Sequence, residues 1–303
     1  MANSTRSRFD VFASTAPGLE SITAGELKSL GMRGKQDIGG VSFAGDLTDI
    51  YRANLWLRTA SRVVVRLGGF HASTFYELER RCRKLPWTDF LPTSGNVAVR
   101  ATCRKSRLYH SDAVAERVLA AIARVAPAGV SLQPSTAATP DDETDEVGRR
   151  EDERPTQLFI VRIVHDEVEI SADSSGALLH RRGYRKEVAK APLRETLAAA
   201  MLLASGWQKN ESLLDPLCGS GTIPIEAALL ARGIAPGLAR DFQFAKSRIS
   251  GDAGAGDAGG CECFRGFGGG GCRGRGGRVA GNAVACDSRG CFIRRFVSGK
   301  GRD

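Results

Sequence analysis

Residues 215–222 read D-P-L-C-G-S-G-T, and they follow E-S-L-L-D, a stretch that reads as a short buried strand. A buried strand, an acid, Gly-x-Gly and then a helix form the layout of a nucleotide or cofactor cradle. Gly219 and Gly221 carry no Cβ, so a ligand can approach the backbone. The N–H groups of Gly221, Thr222 and Ile223 are expected to point out of the N-terminus of the helix that begins T-I-P-I-E-A-A-L-L-A-R-G. A phosphate-binding P-loop would need Gly-Lys-Ser/Thr here, and there is no lysine. The pattern is not G-x-G-x-x-G either. Asp215, at the carboxyl end of its strand, disfavours a phosphate and suits a cationic, amino-bearing ligand such as S-adenosylmethionine. A bare Gly-x-Gly is more often an ordinary strand–helix turn. Asp-Pro-Leu-Cys in front of it tips the reading to a cofactor loop.

The elements that must position this loop come from a chain of two compositions. Seventeen of the 36 glycines and five of the eight cysteines lie at or after Gly251, whereas no proline follows Pro236. The two parts are therefore read separately. In the first, F-D-V-F-A-S-T alternates like a strand. Leu19, Ile22, Glu26, Leu27 and Leu30 keep helical spacing up to a stop at Gly31. G-G-V-S-F-A-G-D is a strand, L-T-D-I-Y-R-A-N-L-W-L-R a helix and S-R-V-V-V-R-L a strand. This alternation predicts an α+β unit over 1–66 with helices on one face.

Residues 67–170 repeat the alternation. One helix carries Phe75, Leu78, Cys82 and Leu85 on a single side. Another opens at Ser111 as N-cap and buries Val114, Val118, Ala121 and Ile122. Q-L-F-I-V-R-I-V and E-V-E-I-S-A-D are strands hairpinned through His165 and Asp166. Within this region 134–156 holds eight acids from Asp141 to Glu153 and almost no large apolar side chain, so it is expected to be a disordered loop. Residues 171–190 form a basic connector. Then A-P-L-R-E-T-L-A-A-A-M-L-L-A-S-G-W starts a helix with Pro192 in its first turn. Leu193, Leu197, Met201 and Ala204 are expected on its inner side.

The formal charge of +9 favours a polyanionic partner. Arg80, Arg81, Arg83 and Lys84 make one basic cluster, and Arg104, Lys105 and Arg107 a second. Trp87, Tyr109 and Tyr184 lie near them and could stack on unpaired bases. The competing reading is a solvated charged face over core aromatics. No run of about 18 apolar residues exists, so no membrane span is expected. The N-terminus lacks the apolar core of a secretory signal, and a cytoplasmic protein is expected.

D-P-L-C-G-S-G-T-I-P-I-E-A-A-L resembles motif I of the THUMP-containing class I methyltransferases that modify RNA, and among them the bacterial 23S rRNA guanine-N2 enzymes. F-A-S-T-A-P-G-L-E, G-G-V-S-F-A-G-D, L-W-L-R-T-A-S-R, D-S-S-G-A-L-L-H-R-R-G-Y-R and A-P-L-R-E-T-L-A-A-A-M-L-L-A-S-G-W resemble the same family in the right order. The resemblance runs from about Phe9 to Phe244. It implies a ferredoxin-like unit (1–66), a THUMP RNA-binding domain (67–170), a basic linker (171–190) and the start of an α/β Rossmann-like methyltransferase domain (191–250). It also implies S-adenosylmethionine as cofactor, structured RNA (23S rRNA) as partner, and no metal. Carried over by residue, Asp215, Cys218, Gly219, Ser220, Gly221 and Thr222 match the cofactor loop. Pro192 and Glu195 belong to the segment packed beside the cofactor. Arg181, Arg182, Tyr184 and Arg185 match the linker and join Arg104, Lys105 and Arg107 as expected RNA contacts.

The family also needs an Asn-Pro-Pro-Tyr loop to position the exocyclic amine, and the sequence contains no Pro-Pro. No catalytic residue can therefore be assigned. Residues 251–303 show no helical or strand period and are expected to be a disordered, low-complexity tail. Three origins compete: a zinc site, an arginine–glycine RNA-binding tail, and an out-of-frame translation of a GC-rich gene. The zinc site lacks both the C-x2-C spacing and any histidine after His180. The out-of-frame reading is favoured, because Gly, Arg, Ala and Cys are what GC-rich codons give when misread. Two rivals to a catalytically incomplete RNA methyltransferase remain. One is a non-catalytic RNA-binding protein. The other is a DNA adenine-N6 methyltransferase, which shares the Asn-Pro-Pro-Tyr logic.

Overall fold

A computed structural model of the chain describes residues 8–134, 157–184, 193–240, 242, 282–287 and 290–295. The expected acidic loop and most of the tail lie outside these residues. The first unit runs β1 (Phe9–Thr15), α1 (Glu20–Ser29), β2 (Gly34–Asp37), β3 (Gly40–Gly45), α2 (Leu47–Trp56) and β4 (Ala60–His71). β1 lies between β3 and β4, antiparallel to both, with Val11 opposite Phe43 and Val65. Its alternation buries Val11 and Ala13 fully. Phe12 on the other face is covered too, by the Arg66 guanidinium 4.7 Å above its ring. α1 stops as expected at Gly31, whose φ is +81°. The amide of Met32 donates to Leu27 O and that of Gly31 to Lys28 O, closing the last turn. α2 is started by a reciprocal pair: Asp46 accepts from the Asp49 amide, and the Asp49 carboxylate accepts from that of Asp46.

The second half adds α3 (Phe75–Cys82), α4 (Trp87–Phe90), β5 (Gly95–Arg104), α5 (Ser111–Ala123), β6 (Val130–Pro134), β7 (Gln157–Val164) and β8 (Glu167–Asp173). α5 buries Val114, Val118, Ala121 and Ile122 as its spacing predicts. Ser111, however, is its first helical residue. His110 stands at the N-cap position, and no side chain caps the helix. β5 runs parallel to both β6 and β7. β7 and β8 form the expected hairpin, with φ of +53° at His165 and +63° at Asp166. Left-handed residues at both turn positions match the twist of the flanking strands.

The two halves are not separate sheets. β4 pairs with β8, so all eight strands form one sheet in the order β2-β3-β1-β4-β8-β7-β5-β6. The boundary expected after Arg66 falls inside β4 (Ala60–His71). One apolar core accordingly spans both halves, from Leu27 and Ile50 to Leu78, Ile122 and Phe159, all fully buried. Each such side chain contributes about 1.5–3 kcal/mol by leaving water.

The remaining elements are α6 (Glu195–Ala204), β9 (Leu213–Asp215), α7 (Thr222–Ala231), β10 (Asn282–Asp287) and β11 (Gly290–Arg295). α6 begins three residues beyond Pro192, which lies outside the described residues. Its inner side is Glu195, Thr196, Ala198, Ala199, Ala200 and Leu202. The expected stripe fails: Leu193 and Leu197 are half-buried, Ala204 is exposed and Met201 is 52 % exposed. The helix is apolar almost all round, so periodicity could not choose a face. β9 is not buried as expected either, since Leu214 is 65 % exposed. Its neighbour is β11, antiparallel, with β10 outside it. A segment without legible period thus contributes two strands. The parallel neighbours of a doubly wound sheet do not occur beside β9 among the described residues.

Candidate functional site

The loop between β9 and α7 is held by its own backbone. Asp215 Oδ1 accepts from the Leu217 amide at 3.1 Å, drawing the chain round after the strand. Gly219 and Gly221 have φ of +52° and +74°. A Cβ on Gly219 would meet nothing within 4 Å, and one on Gly221 only Ile225 Cδ1 at 3.8 Å. Backbone conformation, not crowding, therefore demands glycine at both places. The Gly221 amide donates to Cys218 O at 2.7 Å. The expectation that it points outward is corrected: it closes the turn. Gly221 is the N-cap of α7, and no side chain caps the helix. Pro224 sits in the first turn, where it has no N–H to leave unpaired. Ser220 and Thr222 pair through their hydroxyls at 3.1 Å. Cys218 is half-buried, Ser220 exposed and Thr222 buried.

The result is a shallow turn with an acid at the strand end and an uncapped helix terminus opposite. Helix N-termini carry partial positive charge and favour electron-rich groups. The half-buried Asp215 carboxylate favours a cation. A zwitterionic ligand with an amino group and a carboxylate matches both. The residues present fit S-adenosylmethionine in this sense.

Behind the turn lies a charge cluster that the sequence did not announce. Glu226, on α7, is 1 % exposed. Its Oε1 is 3.5 Å from Arg182 Nε and accepts the Tyr184 hydroxyl at 3.1 Å. Its Oε2 is 3.8 Å from Arg58 Nη1. Arg182 also donates to Leu179 O and Arg58 O, each at 2.6 Å. Arg58 donates to Ile234 O at 2.6 Å. Burial lowers the Arg58 pKa, and the charges of Glu226 and Glu26 oppose that. Burial, then the charges of Glu226 and Glu195, push the Tyr184 phenol well above its ordinary range. Glu26 on α1 completes the layer, accepting from the amides of Arg58 and Thr59 and from the Thr59 hydroxyl. Burial still raises its pKa. Next to this, Gly237 approaches α2 so closely that a Cβ would lie 3.0 Å from Asn54 O and Leu55 Cα. Helix α7 is thereby clamped to the first unit of the chain.

Two expected RNA contacts are spent in that clamp. Arg182 is 3 % exposed, and Tyr184 turns its hydroxyl inward. Arg181 is half-buried, and Arg185 lies outside the described residues. Trp87 is a core residue, stacked edge-on against Phe159 at 5.1 Å with its indole N–H on Cys82 O. Arg104, Lys105, Arg107 and Tyr109 do stand at the surface. Glu195, at the start of α6, is buried. Arg58 and Glu226 were missed, though Glu226 is the lone charge in the apolar run of Thr222–Ala231, and such charges are buried only when paired. Among the described residues no three His, Cys, Asp or Glu side chains could hold a metal together. No described helix is long and apolar enough to cross a membrane.

Comparison with known proteins gives the site a context. Residues 10–64 match the family model of the RlmL ferredoxin-like domain, and residues 182–259 that of the RMKL-like methyltransferase domain. The second match ends close to the change of composition at Gly251. YpsC of Bacillus subtilis, provisionally named an RNA methyltransferase, is 39 % identical over 78 % of this chain and 58 % of its own length. The ribosomal RNA large subunit methyltransferase K/L of Syntrophotalea carbinolica is 38 % identical over 76 % of this chain and 31 % of its own. The chain thus spans 58 % of the first and 31 % of the second of these relatives. Among solved structures, a predicted N6-adenine-specific DNA methylase from Listeria monocytogenes superposes with a TM-score of 0.67. It is 40 % identical, over 80 % of this chain and 60 % of that one. SMU.472, provisionally named a methyltransferase and solved in complex with S-adenosylhomocysteine, is 31 % identical with a TM-score of 0.66, over 80 % of this chain and 61 % of its own.

Proposed function

We propose that this chain, which carries the RlmL ferredoxin-like domain and an RMKL-like methyltransferase domain, is the RNA-holding and cofactor-holding part of an S-adenosylmethionine-dependent RNA methyltransferase. The observation that carries the reading is the turn at 215–222. Two left-handed glycines there set an uncapped helix N-terminus beside an acid at a strand end. Asp215, Cys218, Gly219, Ser220, Gly221 and Thr222 hold the cofactor, with Pro192 and Glu195 beside it. Bound S-adenosylmethionine supplies an electrophilic methyl group on its sulfonium. The chain's own residues bind and orient it. Asp215 holds the cationic end, α7 presents its N-terminus, and the Glu226 cluster keeps α7 fixed against the first unit.

The substrate is structured RNA, and the reaction is methylation of a guanine N2 in 23S rRNA, which places the work in the cytoplasm. The relatives named as RNA methyltransferases support this reading. Residues 67–170 act as the THUMP domain and 171–190 as the linker. Without an Asn-Pro-Pro-Tyr loop among its residues, the chain by itself binds but does not turn over. Titration calorimetry with S-adenosylmethionine, and radiolabelled methyl incorporation into undermethylated large-subunit rRNA, test the two halves of the reading. Binding without incorporation is expected. Absence of cofactor binding, with salt-sensitive RNA binding retained, would replace it with a non-catalytic RNA-binding protein. The Listeria structure's description as a DNA methylase favours one further arm: incorporation into adenine of DNA would redirect the substrate.

A further inference from the structure

The loop between β5 and α5 is built to expose one aromatic ring. Leu108 is 4 % exposed and anchors the loop in the core, while Tyr109, next to it, is 70 % exposed. The Tyr109 ring lies 4.0 Å from that of His110, tilted by 41°. Arg104, Lys105, Arg107 and His110 around it are all exposed.

The loop is not slack. Asp166, in the neighbouring hairpin turn, holds it at several points. Asp166 Oδ1 accepts from the Arg107 amide at 2.7 Å, and Oδ2 lies 3.7 Å from Arg107 Nε. The Asp166 amide donates to Ser106 Oγ at 3.0 Å, and that hydroxyl donates to Arg104 O at 2.9 Å. The His165 amide donates to Arg104 O at 3.3 Å, and Asp166 O accepts from the Ala72 amide at 2.9 Å. Lys105, His165 and Asp166 are the three non-glycine residues with positive φ among the described residues, and all three sit in this pair of turns. At His165 and Asp166 the two-residue hairpin itself requires this backbone, whereas at Lys105 it persists only where the surroundings over-determine it.

We propose that Tyr109, backed by His110 and flanked by Lys105 and Arg107, is a stacking platform for an unpaired base of single-stranded RNA, held ready by Asp166. This rests on the RNA reading of the preceding subsection and sharpens it to one residue and one kind of nucleotide. The chemistry is that of sequence-tolerant single-strand binding: a π-face for the base and cations for the flanking phosphates. A rigid loop loses little freedom on binding, so the stack is not offset by ordering the protein. A duplex offers no unstacked base, so the platform should not contribute to its binding.

The test is fluorescence anisotropy of the full chain with a labelled single-stranded RNA and a labelled duplex of the same length. For Tyr109→Ala, single-strand affinity should fall about tenfold, as expected for one lost base stack, while duplex affinity stays unchanged. Tyr109→Phe should retain the wild-type affinity. Asp166→Ala should weaken single-strand binding with an unchanged salt slope, since no cation is removed. Thermal melts of each variant show whether it folds, and Tyr109→Phe keeps the test open if an alanine variant does not. Equal affinity of wild type and Tyr109→Ala for the single strand would overturn the platform alone. So would equal losses on both RNAs. A wild-type chain that binds neither RNA would overturn the RNA reading, and the platform with it.

Discussion

The Tyr184 hydroxyl donates to Glu226 Oε1 across 3.1 Å, and this bond joins the segment that follows β8 to α7, the helix that opens at the 215–222 turn. Arg58 and Arg182 approach the same carboxylate from the first unit and from the linker. Glu226 is four residues from Thr222, little more than one helical turn below the loop. Two guanidinium groups, a phenol and one buried carboxylate therefore set the position of the α7 N-terminus relative to the eight-stranded sheet. In the proposed reading, a part that grips RNA and a part that grips a cofactor must hold a fixed relation for transfer to occur in line. The cluster is a physical means of keeping it.

Glu226→Ala should cost about 3–5 kcal/mol of stability, because it leaves two buried guanidinium groups without their carboxylate. Glu226→Gln keeps an acceptor for Tyr184 but removes the charge, and should lose less. Urea unfolding followed by circular dichroism measures both. A loss under 1 kcal/mol for the alanine variant would show that the cluster does not hold the joint.

Glu26 gives the fold a pH dependence of definite sign. Burial raises its folded pKa above the ordinary 4.5, despite three donors to its carboxylate. The folded chain then keeps a proton that the unfolded chain releases. The Glu26 contribution is complete below pH 4.5 and is lost as pH rises through the raised folded value. Glu26→Gln does not titrate, so its stability should fall less steeply with pH over that window. Parallel stability–pH curves for the two proteins would refute this.

How far the sequence reached can be seen in particular residues. The His165–Asp166 hairpin, the stop at Gly31 and the inner face of α5 were legible because each is decided within a few residues. The pairing of β4 with β8 was not, since it joins segments about a hundred residues apart and depends on which edge each strand offers. α6 misled because leucine and alanine surround it, while its buried polar pair, Glu195 and Thr196, carried the signal. Arg182 read as an RNA contact because local charge says nothing of a carboxylate 44 positions away. The strands β10 and β11 had no period to read. The glycines of the 215–222 turn were legible because backbone geometry requires them at their own positions.

Thiol reactivity should sort the cysteines by place. Burial pushes the Cys82 thiol up to about 12. At pH 8 roughly one such thiol in ten thousand is ionised, and only the thiolate reacts. Burial raises Cys103 as well. Cys218, half-buried on the cofactor loop, should be alkylated by iodoacetamide in the native protein while Cys82 is spared. Peptide mass spectrometry after a timed reaction reads each site. Saturating S-adenosylmethionine should slow labelling at Cys218 and leave the other sites unchanged. Unaltered labelling at Cys218 would place the cofactor elsewhere.

Asp215 and Gly219 separate charge from conformation at the same loop. Asp215→Asn keeps an acceptor for the Leu217 amide, so the turn should persist and stability should change by less than about 0.5 kcal/mol, as for most surface changes. It removes the negative charge opposite the cationic cofactor. Affinity for S-adenosylmethionine should fall by about tenfold, the worth of one charge-assisted contact. S-adenosylhomocysteine keeps the amino group that Asp215 is proposed to face, so its affinity should fall by a similar factor. Gly219→Ala acts the other way. Its Cβ meets nothing, but a φ of +52° strains any L-residue, by about 1–2 kcal/mol. Relaxing that strain moves the backbone of the turn, so both ligands should weaken alike and the melting temperature should drop. Calorimetric titration of the two variants with the two ligands forms a four-way comparison. If Asp215→Asn lowered the melting temperature as Gly219→Ala does, its carboxylate would be holding the turn and not the amino group of the cofactor.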